Sequence, residues 1–306
     1  MLPLKRLPRN GHIFISAPAF PADLARLQNG INYLGALGYK TIKGNSLKGN
    51  FGYLSATDND HAAELNRAFA DDDIDAIFCA RGGWGGLRYL DQLDYKNIAL
   101  KPKALIGYSD VTFLQLALWK KIGLPSISGP MVAVEMGTGI EAFTEKYFWE
   151  LMHPAGTYQI NLEQTETRIR QNGAVDGPLL GGCLSMMAHL LGTPYSPDYK
   201  DAVLFIEDVG EAPYKIDRYL AQLKQAGVFE QIKGLIIGQF LDCADERTGG
   251  FTIADLFDQY FNVLSGPILE NFPYGHGMKK ISMPIGAETT VDTRKGTLTF
   301  RSIWER

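Results

Sequence analysis

Gly107-Tyr108-Ser109-Asp110 stands where a short apolar run ends and a helical pattern begins. A serine there has two kinds of chemistry open to it. Its hydroxyl can satisfy a free N–H of the first helical turn as an N-cap, a role Asp110 can take equally well. Alternatively, a tight turn after Gly107 can expose the hydroxyl as a nucleophile. The helix N-terminus would then offer N–H groups and positive dipole to an oxyanion. The stretch is not the common hydrolase elbow, because Val111 stands where G-x-S-x-G has its second glycine.

A serine nucleophile needs a base, and the chain has five histidines. His189 lies in an apolar helical stretch and reads as packed or capped. His61 begins a helix among polar residues and reads as solvated, while His12 and His153 border elements beside glycine or proline. His276 differs: it sits between Gly275 and Gly277, after the apolar run Pro267-Ile268-Leu269, in a loop at a strand end. Functional residues concentrate in such loops, although an exposed loop histidine fits the same pattern. A carboxylate would orient the imidazole and stabilise its charged form. Glu207, placed directly after an apolar strand at 202–206, is the candidate; Asp208 is its neighbour and rival, and either could cap the following turn.

The run Arg81-Gly82-Gly83-Trp84-Gly85-Gly86 invites a phosphate-loop reading. It lacks the Lys-Ser/Thr of a Walker sequence and the spacing of G-x-G-x-x-G. Its glycines can instead bring backbone N–H groups close to a substrate oxygen, or simply satisfy positive φ values. Arg81 offers a two-pronged donor for a carboxylate. The competing role for Arg81 is a structural salt bridge beneath the turn.

These residues require elements to hold them. Apolar strands at 12–17, 39–42, 75–79 and 104–107 alternate with helical spacing at 23–37, 60–70 and 110–120, with a shorter helix at 87–93. Helices between short apolar strands imply βαβ units and a mainly parallel sheet, whose working loops lie beyond the strands' carboxyl ends. The glycine run and Ser109 fall in two such loops. Residues 158–175 read as a polar connector with edge strands. Beyond them come strands at 202–206 and 235–240, helices at 213–226 and 253–264, and a β tail at 282–285, 289–292 and 297–300. The expected division is therefore 1–155 carrying Ser109, a connector at 156–175, and 176–306 carrying Glu207 and His276.

Composition narrows the function classes. With 306 residues, 45% apolar and 21% charged, the chain has the make-up of a globular protein of two domains or one large α/β domain. A formal charge of −4 gives no footprint for nucleic acid. Three dispersed cysteines without a C-x-x-C argue against a disulfide framework or structural zinc and fit a reducing compartment. No stretch reads as a signal peptide or a membrane span, so the cytoplasm is the expected location.

Together the motifs resemble the serine LD-carboxypeptidases, the murein tetrapeptide carboxypeptidases of bacteria. The resemblance covers most of the chain. It includes Ala17-Pro18-Ala19, Arg81 to Gly85, Gly107 to Thr112, Gly129-Pro130-Met131, Gly181 to Ser185, Leu191 to Tyr195, Glu207 to Arg218, and Gly275-His276-Gly277. Their order and spacing are specific where each alone is not.

The resemblance implies a Ser109, Glu207, His276 triad. It implies oxyanion donors from the backbone near Gly83 and at Asp110, and a substrate pocket touched by Arg81 and Trp84. The implied α/β fold pairs a flavodoxin-like, mainly parallel N-terminal domain with a smaller β-rich C-terminal domain, usually in a homodimer. The implied reaction is hydrolysis of the bond between a diamino acid and terminal D-alanine of a murein tetrapeptide, without metal or cofactor. Three positions depart from the family pattern and bear on pocket shape: Trp84 where tyrosine is common, Ser128 where histidine often stands, and Cys183 where asparagine is common. A sister branch gives immunity to microcin C by cleaving peptidyl- or aminoacyl-nucleotides; Gly85-Gly86 leans away from that branch. A peptide-binding protein on the same fold that has lost the chemistry is the remaining alternative.

Overall fold

The structure is a computed structural model that describes residues 1–153, 156–244 and 252–305. The boundary expected at 155 therefore falls outside the described residues.

The first sheet is built from β1 (His12–Ser16), β2 (Lys40–Lys43), β3 (Ala76–Cys79), β4 (Ala104–Gly107) and β5 (Ser126–Ser128). Their spatial order is β2-β1-β3-β4-β5, and every pairing among them is parallel. This is the flavodoxin-like order, in which the chain reverses direction of travel between β1 and β3. The strands are short apolar runs because both faces are covered: Ile13, Ile15, Ile77, Phe78, Leu105, Ile106 and Ile127 are buried. The covering helices include α1 (Leu24–Ala36), capped by Asp23, and α2 (Asp58–Ala70), capped by Thr57. Past α1, Gly38 takes φ +92°, a conformation that ends a helix at little cost to glycine. The expected helix at 87–93 is a 3₁₀ segment, Gly86–Gln92.

The second sheet contains β6 (Tyr158–Asn161), β7 (Arg168–Gln171), β8 (Ala174–Cys183), β9 (Val203–Val209), β10 (Gly234–Leu241) and β11 (Ile268–Glu270). A last pair, β13 (Glu288–Asp292) and β14 (Thr297–Phe300), completes it after β12 (Met283–Ile285). The order is β6-β14-β13-β8-β9-β10-β11-β7, parallel from β8 to β11 and antiparallel outside. The polar connector does supply edge strands, β6 and β7, one at each end of the sheet.

Two expectations are corrected. The strand expected to end at 206 runs to Val209, so Glu207 lies within it rather than after it. The strand continues through it because β8 stays in register there, with Cys183 opposite Glu207. The β tail is also divided. β12 leaves the second sheet and pairs antiparallel with β5, through Met283–Ser128 and Ile285–Ser126. A strand of three residues has too little sequence to declare which edge it will join.

Candidate active site

Ser109 follows β4 directly, and its φ is +64°. That conformation costs an L-residue roughly 1–2 kcal/mol, so the surroundings must impose it. A 3₁₀ turn (Ser109–Val111) leads into a long helix (Thr112–Ile122), and among the described residues no side chain caps either element. The N-cap alternative thus loses its support, and the hydroxyl is left on a strained, half-exposed turn.

The glycine loop after β3 lies against this turn. A Cβ placed on Gly82 would come within 3.0 Å of Ser109 Cβ, 3.1 Å of its Oγ and 3.3 Å of the Asp110 nitrogen. Only glycine allows the loop backbone this close to the hydroxyl and the Asp110 N–H together. Gly83, with φ +130°, packs on Phe20, which belongs to the loop after β1. The loops after β1, β3 and β4 therefore meet beyond the carboxyl ends of the strands, at the switch point of the sheet. Trp84 projects from the loop, 61% exposed.

Asp110 ties the two loops together. Its buried carboxylate accepts the Gly86 N–H at 2.8 Å. Burial raises the carboxyl pKa from 3.8 to about 7, against the lowering effect of N–H groups from Gly86 and Gly85. The unfolded chain gives up this proton near pH 3.8 and the folded chain near 7. The group's contribution to stability is therefore present at low pH and is lost as pH rises between those values. Asp110→Asn removes the charge. The melting temperature of the variant relative to the native chain is expected to climb from pH 4 to pH 8. Thermal melts across that range check it; a difference that shrinks with rising pH would contradict the assignment.

On the second sheet, Glu207 is fully buried, and its Oε2 accepts a hydrogen bond from His276 Nδ1 at 2.7 Å. The β9–β10 register jumps between Ile237 and Phe240, so Gly238 and Gln239 together face Glu207. Gly238 leaves room there, because a Cβ on it would come within 3.2 Å of Glu207 Cβ. Gly275, at φ +132°, leaves room for the carboxylate: a Cβ there would come within 2.9 Å of Glu207 Oε2. Asp208, the rival, points elsewhere and accepts N–H groups from Ser185 and Val209.

With Nδ1 committed to Glu207, His276 keeps Nε2 for proton transfer. The imidazole packs on the Tyr108 ring, centroids 5.0 Å apart, so it sits beside the residue preceding Ser109. No Ser109–His276 hydrogen bond is formed among the described residues. Catalytic contacts of this kind commonly close only around substrate. Sequence reasoning missed Tyr108; its place between Gly107 and Ser109 was the available signal.

The remaining candidates can be placed. Arg81 is half-buried, stacks on the Phe20 ring at 5.5 Å and reaches the Pro21 carbonyl at 3.4 Å. Among the described residues it forms no salt bridge. Ser128 is buried and bonded to Tyr274 Oη at 2.7 Å, and Cys183 is buried in register with Glu207. His61 is corrected: it is buried, its Nε2 2.7 Å from Ser55 Oγ, because the start of α2 packs inward against Tyr89. Among the described residues no group of three or more His, Cys, Asp or Glu could hold a metal ion, and no helix is long and apolar enough to cross a membrane.

An open α/β sheet that sets a serine on a strained turn, beside a tyrosine whose ring packs against a histidine held by a buried carboxylate, has the groups needed for acyl transfer through serine. Comparison with known proteins gives the family. Residues 13–129 match the LD-carboxypeptidase N-terminal domain and residues 176–291 the LD-carboxypeptidase C-terminal domain. The chain belongs to the LD-carboxypeptidase family and is a serine-type carboxypeptidase of it. It is 33% identical over 296 residues to the "Probable murein peptide carboxypeptidase" of Bacillus subtilis (strain 168), covering 96% of this chain and 92% of the relative. The crystal structure of muramoyltetrapeptide carboxypeptidase from Oxalobacter formigenes superposes with a TM-score of 0.84 at 28% identity, covering 94% of this chain and 97% of that one. The Microcin C7 self-immunity protein MccF of Escherichia coli is 26% identical over 319 residues, covering 92% of this chain and 90% of the relative. A structure of MccF in complex with glutamyl sulfamoyl guanosine shares the fold, with a TM-score of 0.91 at 22% identity and 98% of each chain covered.

Proposed function

We propose that this chain hydrolyses the bond between the L-centre of a diamino acid and the terminal D-alanine of murein tetrapeptides, in peptidoglycan recycling in the cytoplasm. The observation that carries the proposal is Ser109 at φ +64° beside the His276–Glu207 pair. The substrate class is supported by the names of the relatives. Ser109 Oγ attacks the carbonyl while His276 Nε2 takes its proton. Backbone N–H groups of Gly83 and Asp110 stabilise the oxyanion, and His276 returns the proton to the leaving D-alanine amine. Water then releases the acyl group by the same steps, with His276 as base. Glu207 holds the imidazole in the tautomer that leaves Nε2 free.

Arg81 and Trp84 border the glycine loop where the peptide's carboxylate end would lie, and the chain is proposed to work as a homodimer. Arg81→Lys keeps the charge but loses the two parallel bonds. KM for the tetrapeptide is expected to rise about tenfold while the melting temperature stays within about 2 °C. An unchanged KM would assign Arg81 to the scaffold. The decisive test of function is mass spectrometry of a murein tetrapeptide after incubation. Loss of one alanine residue is expected, with slower cleavage of an aminoacyl sulfamoyl nucleotide. A tetrapeptide left intact beside a cleaved nucleotide would move the chain to the MccF type of reaction.

A further inference from the structure

We propose that Lys280, paired with Glu135, is a positioning residue that holds the His276 loop in register with the Ser109 turn. The inference rests on the reading of Ser109 and His276 given above.

Lys280 lies four residues beyond His276, and Glu135 opens a short helix (Glu135–Thr138) after β5. Their side chains form an ion pair with 2% and 10% of their surfaces exposed. The same Glu135 oxygen accepts the Tyr108 hydroxyl at 2.8 Å, and its other oxygen accepts the Met131 N–H at 2.9 Å. The Lys280 ammonium also stands 4.1 Å from the centroid of the Tyr108 ring. That ring in turn carries the His276 imidazole. One tyrosine thus touches the ammonium, the carboxylate and the imidazole, and its own backbone continues into Ser109.

Three further bonds fasten the loop along the same seam. Thr144 Oγ1 donates to the Met278 carbonyl at 2.8 Å and accepts the Lys280 N–H at 2.9 Å. Tyr274 meets Ser128. The hydroxyl bonds would suffice to attach the loop. A buried ammonium adds little net stability, because desolvation offsets most of its Coulomb attraction. What it adds is direction. The pair fixes one face of Tyr108, and small displacements in an active site can cost about a hundredfold in rate.

The test compares the native chain with Glu135→Gln, Lys280→Met and the double variant. Single variants leave one charge buried without its partner and are expected to melt lower. The double variant is expected to recover the melting temperature while kcat on the tetrapeptide stays about 10- to 100-fold down with KM within about twofold. Its rate of labelling by a fluorophosphonate, which needs an aligned His276 but no peptide contact, should fall in parallel. A double variant with native kcat and labelling would overturn the positioning role. Equal losses in kcat and KM, or lost turnover with native labelling, would also overturn it by placing the fault in peptide binding. A native chain that neither labels nor cleaves would sink the serine reading itself, and this inference with it. Tyr108→Phe deletes only the hydroxyl bond to Glu135 and covers the case of a double variant that does not fold: kcat should drop several-fold at constant KM, and an unchanged kcat would refute positioning of Tyr108 by the pair.

Discussion

Ser109→Ala is expected to fold as the native chain does and to lose about four to six orders of magnitude in turnover of the tetrapeptide, the scale seen when a serine hydrolase loses its nucleophile. Little else should change, because Oγ caps no helix and the alanine methyl keeps the same backbone strain. Ser109→Gly makes the prediction sharper. Glycine relieves the cost of φ +64°, so this variant should melt about 1–3 °C higher while equally inactive. Steady-state kinetics and a thermal melt on both variants decide the matter. Activity retained by either one would remove Ser109 from the chemistry.

Glu207→Gln carries the second large effect, a loss of about 10³- to 10⁴-fold in kcat with KM little changed. The carboxylate accepts the Nδ1 proton of His276, whereas an amide can present its NH₂ group instead and select the tautomer that occupies Nε2. Stability should not fall in proportion. Glu207 is fully buried and, among the described residues, its Oε1 has no hydrogen-bond partner, so the neutral amide removes a costly charge. Unchanged kcat would show that the carboxylate only fills space. A collapse of the melting temperature would show that its loss of activity is a loss of fold.

The elbow was legible because its signals are local. A strand-ending glycine, a serine and a helical pattern occupy consecutive positions, and β4 ends at Gly107 as the apolar run indicated. His276 was legible for a similar reason, through its flanking glycines. The exact setting of Glu207 was not. The bulge that faces it lies on another strand, at Gly238 and Gln239, and a register jump leaves no trace in the periodicity of either strand. His61 misled because the polar residues around it describe the other face of α2. The Lys280–Glu135 pair joins positions 145 residues apart, where nothing local ties a lysine to a particular glutamate. Long-range pairing also hid the destination of β12, since an alternating tail fits either sheet equally well.

That crossing strand bears on how the chain is made. While a ribosome has released only the first half, β5 has β4 on one side and an open edge on the other, because Ser126 and Ser128 wait for Ile285 and Met283. Unpaired edges of nascent sheets invite association with other chains. In the sheet that bears Ser109, β5 gains its second neighbour only after Glu207 and His276 have been synthesised. The strand that covers the β5 edge thus arrives on the segment that has just carried His276 out.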